Sequence, residues 1–180
     1  MPTAMREKDI TKRAFALKLA DGAWIVLRRL EPVDADAVLA LHDTLSQRER
    51  YLRFFTMHPV HLRALASKLA DGHGDDYALG AFESGTLIGV ANYIMCGKTA
   101  TAEVAVVVAH ENHMRGVGTA LLRRLAQIAR ANGIRHMVAD VLTTNHLLLK
   151  VLRDAGLRPH RVRAVSGVVH LDVDLPEVST

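Results

Sequence analysis

A glycine-rich turn at residues 115–120 is the first place where this sequence could do chemistry. Gly116 and Gly118 stand at the start of a long amphipathic pattern. The first backbone N–H groups of a helix have no intrahelical partner and lie at the positive end of the helix dipole, so such a turn can bind an anion. The glycines let a phosphate approach the backbone, and Arg115 adds a fixed positive charge. The turn is neither a Walker A loop nor a full dinucleotide fingerprint, and a bare Gly-x-Gly more often only begins a helix.

Three polar residues just before this turn raise the question of a metal site. His110, Glu111 and His113 lie within four positions of one loop, which gives poor ligand geometry, and no fourth ligand is evident. We therefore interpret them as a solvated loop and predict no metal. Cys96 is alone, which excludes an internal disulfide and a cysteine-based metal cage. It lies in an apolar run and is predicted to be a small buried residue.

The elements that must position the glycine turn are a strand before it and a helix after it. Val104–Ala109 is an unbroken apolar run rich in β-branched residues, which predicts a strand covered on both faces. After the turn, Leu121, Leu125 and Ile128 share one helix face and arginines occupy the other. Strand, turn and helix therefore form one unit.

The rest of the chain predicts a mixed sheet with helices around it. Helices are predicted from Asp34 as N-cap, from Ser46 with Glu49 completing a capping box, from Pro59, and from Thr143 or Thr144 as N-cap up to Gly156. Strands are predicted over Trp24–Leu30, Tyr77–Phe82, Thr86–Met95, Ile134–Leu142, Arg158–Val165 and Val168–Leu175, with turns at Ser84-Gly85 and Ser166-Gly167. The fold class is α/β (α+β): a mixed, mostly antiparallel sheet of about seven strands with helices on both faces.

Length and composition limit the alternatives. The 180 residues suit one domain, and we predict a flexible tail over residues 1–14 and one domain over 15–180. The apolar runs are far shorter than the ~18 residues that span a bilayer, and no signal-peptide core is present, so a cytoplasmic location is expected. A net charge of +4 suits a polyanionic small ligand as well as nucleic acid and does not discriminate.

Two motifs resemble the GNAT N-acetyltransferase superfamily. Arg115, Gly118 and Ala120 match Arg/Gln-x-x-Gly-x-Gly/Ala after a strand, the family's pyrophosphate loop. Residues 145–157 are similar to the family's Asn-x-x-x-x-x-x-Leu-x-x-x-Gly-Phe helix, with Leu157 where an aromatic residue is commoner. The order of elements is also that of the GNAT fold, and the resemblance covers the chain from Trp24 to its end.

Two further segments are similar to the acetyltransferase domain of bacterial protein-lysine acetyltransferases. Arg50–Phe55 resembles their Arg-Tyr-x-Arg-Phe-Phe segment, and Ala102–Ala105 resembles their Ala-Glu-Val-Ala stretch. These matches suggest a subfamily. They favour a protein lysine side chain as acetyl acceptor. A small amine such as a polyamine or aminoglycoside is the alternative, and a non-catalytic acetyl-CoA-binding regulator is the third hypothesis.

The resemblance implies acetyl-CoA as co-substrate, no metal, and a set of site residues. The implied cofactor-binding residues are Val106, Val107, Val108, His113, Met114, Arg115, Gly116, Val117, Gly118, Thr119, Ala120 and Asn145. No nucleic acid or membrane partner is expected. Asn145 has a second interpretation, since a residue at a helix start can use its side chain to serve that helix.

The implied chemistry is transfer of acetyl to an amine. An amine must lose a proton to attack, and the resemblance places the general base at Glu103. The other interpretation of Glu103 is a surface carboxylate paired with an arginine. The thioester oxygen needs a donor, which would be a backbone N–H within Val104–Val108 where this strand splays from the next.

The general acid is left without an assignment. Many GNAT enzymes have a tyrosine after the second motif, and no tyrosine follows Gly156 here. His146 and His160 are candidates for the acid, although each is more typical of a surface histidine. Arg48, Arg50 and Arg53 would form a solvated basic helix face, or bind the 3′-phosphate of CoA or an acidic substrate.

Overall fold

The computed structural model describes residues 10–11, 13–54, 61–71 and 74–175. The strands within them are β1 (Phe15–Lys18), β2 (Trp24–Arg29), β3 (Tyr77–Glu83), β4 (Thr86–Met95), β5 (Thr101–Val108), β6 (His136–Leu142), β7 (Pro159–Val165) and β8 (Val168–Asp174). The helices are α1 (Ala35–Asp43), α2 (Gln47–Phe54), α3 (Leu62–Asp71), α4 (Val117–Ala131) and α5 (His146–Asp154), with 3-10 turns at Pro32–Asp34 and His110–Asn112. In the part of the chain described, no helix is long and apolar enough to cross a membrane.

One sheet in the order β1-β2-β3-β4-β5-β6-β8-β7 contains all the described strands. Every neighbouring pair is antiparallel except β5 and β6, which are parallel. The predicted mixed, mostly antiparallel sheet is therefore confirmed. The prediction that strands begin at Trp24 was wrong, because β1 precedes it and pairs with β2. Its four residues, mostly exposed, give no burial pattern that the sequence could reveal.

Helices cover both faces of the sheet, as predicted, but unequally. On one face α4 and α5 pack along the sheet, and their leucines join a core that extends from Ile25 in β2 to Leu171 in β8. On the other face α1 and α3 pack over β2–β5 through residues such as Leu41 and Leu69. The same face of β6 and β8 carries the exposed side chains of Asp140 and His170. One half of the second face is therefore covered and the other half faces solvent.

Local interactions confirm some predicted helix starts and turns and correct others. The Ser46–Glu49 capping box forms, with reciprocal hydrogen bonds of 2.8 and 3.2 Å. Ser84-Gly85 and Ser166-Gly167 both have two successive positive φ angles, as tight hairpin turns require. The predicted cap at Thr143 or Thr144 was wrong, since the Asn145 side chain accepts the N–H of Leu148.

Two other expectations are corrected and two lie outside the described residues. Cys96 is exposed, because β4 ends at Met95 and the chain turns there into solvent. Asp34 does not cap α1 with its side chain, which is held elsewhere. Pro59 and most of the predicted tail 1–14 are outside the described residues. Within that tail, the carbonyl of Thr11 accepts a hydrogen bond of 2.7 Å from the Tyr77 hydroxyl.

The Asp34 carboxylate joins the end of β2 to the start of α1. Arg28 donates two hydrogen bonds to it, at 2.7 and 2.8 Å, and the Glu31 backbone N–H donates a third. The Arg28 guanidinium also stacks on the Phe82 ring, 4.0 Å from its centroid. The hydrogen bonds from Arg28 hold the pKa of Asp34 below its ordinary value, despite burial, which acts in the opposite direction.

We predict that Asp34→Asn lowers the free energy of unfolding at pH 7 by about 2 kcal/mol, since a charged, nearly buried pair loses one partner. Because the folded pKa is lowered, this contribution is complete above the ordinary aspartate value near ~3.9 and is lost as pH falls through the folded pKa. Denaturation at pH 7 and pH 3 should therefore show a deficit that shrinks in acid. Asp36→Asn, at an exposed aspartate, is the control. An equal deficit at both pH values would contradict the ion-pair origin.

Candidate active site

The two parallel strands β5 and β6 separate and open a cleft through the sheet. They pair only where residues 101–103 lie beside residues 136–138. Beyond that point Val104–Val108 line one side of a cavity of about 280 Å³ and Ala139–Val141 line the other. The β5 backbone groups that point toward β6 therefore have no strand partner past Glu103. Unpaired backbone donors beside an apolar cavity are suited to bind a carbonyl oxygen.

The start of α4 forms one end of this cleft. Met114 and Gly116 have positive φ angles of 62° and 89°, and α4 begins at Val117. Such alternation of left- and right-handed residues directs successive N–H groups toward one point. Gly118 is needed for packing as well, since a Cβ there would lie 3.2 Å from a Val151 methyl of α5. Gly116, Val117, Gly118 and Thr119 all line the cleft, and the geometry is that of an anion site.

The Arg115 side chain is held by acidic and amide partners and is not among the residues that line the cleft. Its guanidinium donates to both Glu83 oxygens at 2.7 and 3.0 Å, to Asp21 at 2.6 Å and to the Asn112 side chain. The hydrogen bonds from Arg115 lower the pKa of Glu83. Arg115 therefore ties the loop before α4 to β3 and to the turn before β2. Arg115 does not line the cleft, and its contacts indicate that it fixes the geometry of this loop.

Glu49, on α2, lines the cleft and reaches the histidine loop. Its Oε1 lies 2.8 Å from His110 Nδ1 and 3.5 Å from His113 Nε2. Burial acts to raise the pKa of Glu49, but hydrogen bonds from Ser46 and His110 outweigh it and the pKa lies below its ordinary value. The solvated-loop interpretation holds for exposed His110 but not for His113, which is partly buried. His113 Nε2 donates to the Val108 carbonyl at 2.8 Å and so holds the loop on β5.

Helix α5 supplies the opposite wall. Asn145 lines the cleft while its Oδ1 accepts the Leu148 N–H at 3.1 Å, which leaves its amide NH₂ for a ligand. Leu148 and Val151 give the wall an apolar surface. Lys150 and Asp154, one turn apart, form an ion pair at its edge. The wall therefore combines an apolar strip with polar groups at its ends, as a long, partly polar ligand requires.

Glu103 lies outside the cleft lining, on the sheet face that α1–α3 partly cover. It is exposed and pairs with Ile94 of β4 and Val138 of β6, at the last rung before the strands separate. The Arg53 guanidinium of α2 approaches the same face, 3.4 Å from the Asn92 side-chain oxygen. Burial lowers the pKa of Arg53 to about 10, and attraction to Glu103 opposes this shift. Of the interpretations offered for the arginines of α2, the solvated face does not hold for Arg53, because this side chain turns inward and lines the cleft.

The cleft brings together most of the residues predicted for the cofactor. Those that line it are Val106, Val107, Val108, His113, Met114, Gly116, Val117, Gly118, Thr119 and Asn145; Arg115, Ala120 and Glu103 do not. Sequence reasoning missed Glu49, Leu52 and Asp140 as cleft residues. Glu49 was recognised only as part of a capping box, and no sequence signal shows that α2 packs beside β5. His146 and His160 are exposed, as predicted.

Comparison with known proteins agrees with this geometry. The family model described as Acetyltransferase (GNAT) family matches residues 40–157. Acetyltransferase Pat of Mycolicibacterium smegmatis is 31% identical over 168 residues, which are 91% of this chain and 50% of that protein. The chain thus spans about half the length of this relative.

Solved structures show the same fold. The GNAT domain of S. lividans PAT superimposes with a TM-score of 0.77 and 31% identity, over 89% of this chain and 96% of that one. The structure of yncA, a putative acetyltransferase from Salmonella typhimurium with its cofactor acetyl-CoA, gives a TM-score of 0.66 at 19% identity, over 87% and 96%. The latter likeness concerns the fold alone. With a family model matched over most of the chain, a separated strand pair and a helix-start anion site, this chain belongs to the GNAT acetyltransferase family.

Proposed function

We propose that the protein is an acetyl-CoA-dependent N-acetyltransferase whose cofactor lies in the cleft between β5 and β6. The pyrophosphate would bind the N–H groups of Gly116–Thr119, and the pantetheine arm would run between β5 and α5 past Asn145. The thioester oxygen would accept from a backbone N–H of Val104–Val108. The separation of β5 from β6 is the observation that carries this proposal, because it leaves polar backbone groups unpaired in an apolar cavity.

The proposed reaction is direct transfer within a ternary complex. The acceptor enters from the face that carries Glu103, opposite the α4 and α5 side where the cofactor lies. Glu103 takes a proton from the ammonium, and the free amine attacks the thioester carbon. The C–S bond breaks and CoA leaves as a thiolate, which needs little assistance because a thiol has a pKa near ~8.5. The nitrogen that has formed the new C–N bond releases its second proton to the thiolate, which gives the amide and the CoA thiol. Since Glu103 does not line the cleft, it acts on the amine at the entrance or through a water molecule.

A protein lysine is the proposed acceptor. Four carboxylates lie on the acceptor side of the cleft or line it, namely Glu49, Glu103, Asp140 and Asp154. The cations that line the cleft are Arg53 and Lys150, and Lys150 is paired with Asp154. The remaining three carboxylates outnumber Arg53, and this balance of charge favours a cationic amine over a neutral or acidic one. The Arg50–Phe55 and Ala102–Ala105 segments add the subfamily resemblance, and a relative called Acetyltransferase Pat is 31% identical.

We expect Gly118→Asp to weaken acetyl-CoA binding at least about tenfold, or about 1.4 kcal/mol, because it adds a negative charge beside the pyrophosphate site. Gly118→Ala is the matched control: it adds the same Cβ against Val151 without the charge. Calorimetry should show a much larger loss for the aspartate, with both proteins folded by circular dichroism. Equal affinity in wild type and a folded Gly118→Asp protein would overturn the cofactor site.

Glu103→Gln should lower kcat by about 10²- to 10⁴-fold at pH 7 and leave acetyl-CoA affinity nearly unchanged, because it removes basicity but keeps size. The deficit should shrink at high pH, since lysine titrates near ~10.4 and the free amine then becomes abundant. Glu111→Gln, at an exposed carboxylate outside the cleft lining, is the control. A stable Glu103→Gln protein that keeps more than about half the wild-type kcat at pH 7 would show that another group is the base.

The acceptor class can be tested with a cell lysate and an amine panel. Mass spectrometry after incubation with enzyme and acetyl-CoA should identify a few strongly acetylated lysines that an enzyme-free incubation lacks. The Gly118→Asp protein should reduce the same signals, which separates enzymatic from spontaneous acetylation. Diffuse acetylation equal to the enzyme-free control, with rapid turnover of a polyamine or aminoglycoside, would instead favour the small-amine acceptor.

A further inference from the structure

Four potential metal ligands converge on the uncovered sheet face, away from the cleft. His136 lies on β6, Asp172 and Asp174 on β8, and His160 at the start of β7. None of the four lines the cleft between β5 and β6. The strands are neighbours in the sheet, and His136 faces Asp174 directly across the β6–β8 ladder. The backbone therefore fixes the relative positions of these side chains.

Three of these side chains are spaced as ligands of one small cation, and His160 lies beside them. His136 Nδ1 lies 2.8 Å from Asp174 Oδ1, while His160 faces Asp174 Oδ2 with Nδ1 at 3.4 Å and Asp172 Oδ2 with Nε2 at 3.8 Å. One ligand atom each from His136, Asp172 and Asp174 all lie within 4.8 Å of one another. Tetrahedral zinc with bonds of 2.0–2.2 Å separates its ligand atoms by about 3.4 Å. The spacing of His136, Asp172 and Asp174 is compatible with that geometry, and His160 becomes the fourth ligand when its ring turns so that one nitrogen faces the ion.

Two local features direct these groups to a common point. The β7–β8 register shifts between Pro159 and Arg161, which is a bulge at His160. A bulge re-aims a side chain, and His160 here faces Asp172 and Asp174 rather than continuing the strand alternation. In addition, Asp172 Oδ1 is buried and has no hydrogen-bond partner among the described residues. A buried carboxylate oxygen without a donor is costly, and a cation would satisfy it.

We propose that His136, His160, Asp172 and Asp174 form a structural site for a divalent transition metal, most suitably zinc. Two imidazoles and two carboxylates are ligands that zinc accepts, and a closed set of four protein ligands is typical of structural sites. The two carboxylates neutralise the charge of the ion. The metal would join the edge hairpin β7–β8 to β6, one of the two strands that border the cleft.

The cluster of Glu49, His110 and His113 is the alternative metal site among the described residues. It offers three ligands, and His113 Nε2 already donates to the Val108 carbonyl. Binding a metal through that nitrogen would break the contact that holds the loop on β5. Metal binding at the sheet face would also replace a contact, between His136 and Asp174, but that pair is exposed and holds no loop in place. With His160 available as a fourth ligand, the observations favour the sheet-face cluster.

Metal binding can be measured by calorimetry with Zn²⁺ and by the visible absorption of Co²⁺, using chelator-treated full-length protein without a polyhistidine tag. We expect one equivalent to bind, with a tetrahedral Co²⁺ spectrum and a higher Tm in Zn²⁺. Asp172→Asn and His160→Ala should each weaken binding at least about tenfold and remove the Tm increase. His170→Ala is the matched control, since His170 lies on the same face but pairs with Asp140.

His110→Ala distinguishes the two clusters. Loss of metal binding in His110→Ala with retention in Asp172→Asn would place the ion at Glu49 and overturn the proposal. So would affinity weaker than about 0.1 mM for the wild type, which is ordinary surface binding to histidines. Asp172→Asn and His160→Ala change different strands, so the test does not require both variants to fold. A single variant that folds and still binds zinc normally is sufficient to refute the site. These measurements do not involve acetyl transfer and are independent of the proposed function.

Discussion

The separation of two parallel strands is the constraint on which the rest of this structure depends. A sheet stabilises its backbone by pairing every N–H and C=O, yet β5 and β6 pair over only three residues each. The groups beyond that point lie in a cavity with apolar walls, where an unsatisfied donor is costly. The sheet can keep this gap because β5 remains fully paired with β4 and β6 with β8. The opening therefore leaves both strands held in place on their outer sides.

The helices support the gap from opposite directions. Helices α4 and α5 contact each other where Gly118 lies against Val151, so the start of α4 is packed directly against the apolar wall. On the other face, His113 holds the loop before α4 onto the Val108 carbonyl, and Glu49 contacts that loop from α2. On the proposed mechanism, the cofactor side and the acceptor side therefore share one loop. A change in the position of α2 would be transmitted to the start of α4.

The sequence was sufficient to predict the elements that have a hydrophobic period or a turn signal. It was not sufficient to predict contacts between elements that are distant in the chain. The strand before the glycine turn, α4 and both hairpin turns follow from local patterns. The direction of the Arg115 side chain does not, because its partners Asp21 and Glu83 come from segments far away in the sequence. The position of Glu49 in the cleft could not be predicted for the same reason, since it depends on how α2 packs beside β5. The short edge strand β1 was missed because it has little burial pattern, and its pairing with β2 is what makes it a strand.

Arg53 illustrates how a non-local contact changes the chemistry expected of a residue. Its helix was interpreted as a solvated basic face or as a site for an anionic ligand, but the half-buried Arg53 side chain lies against Asn92 and is attracted by Glu103. Burying a cation is tolerated only with such compensation. On the proposed mechanism this placement has a further effect, because a positive charge beside the acceptor site disfavours a second one. Arg53 would then destabilise the ammonium relative to the free amine, while Glu103 accepts the proton that is released. Both groups favour the free amine over the ammonium. Together they lower the free-energy cost of deprotonating the amine further than either group would alone.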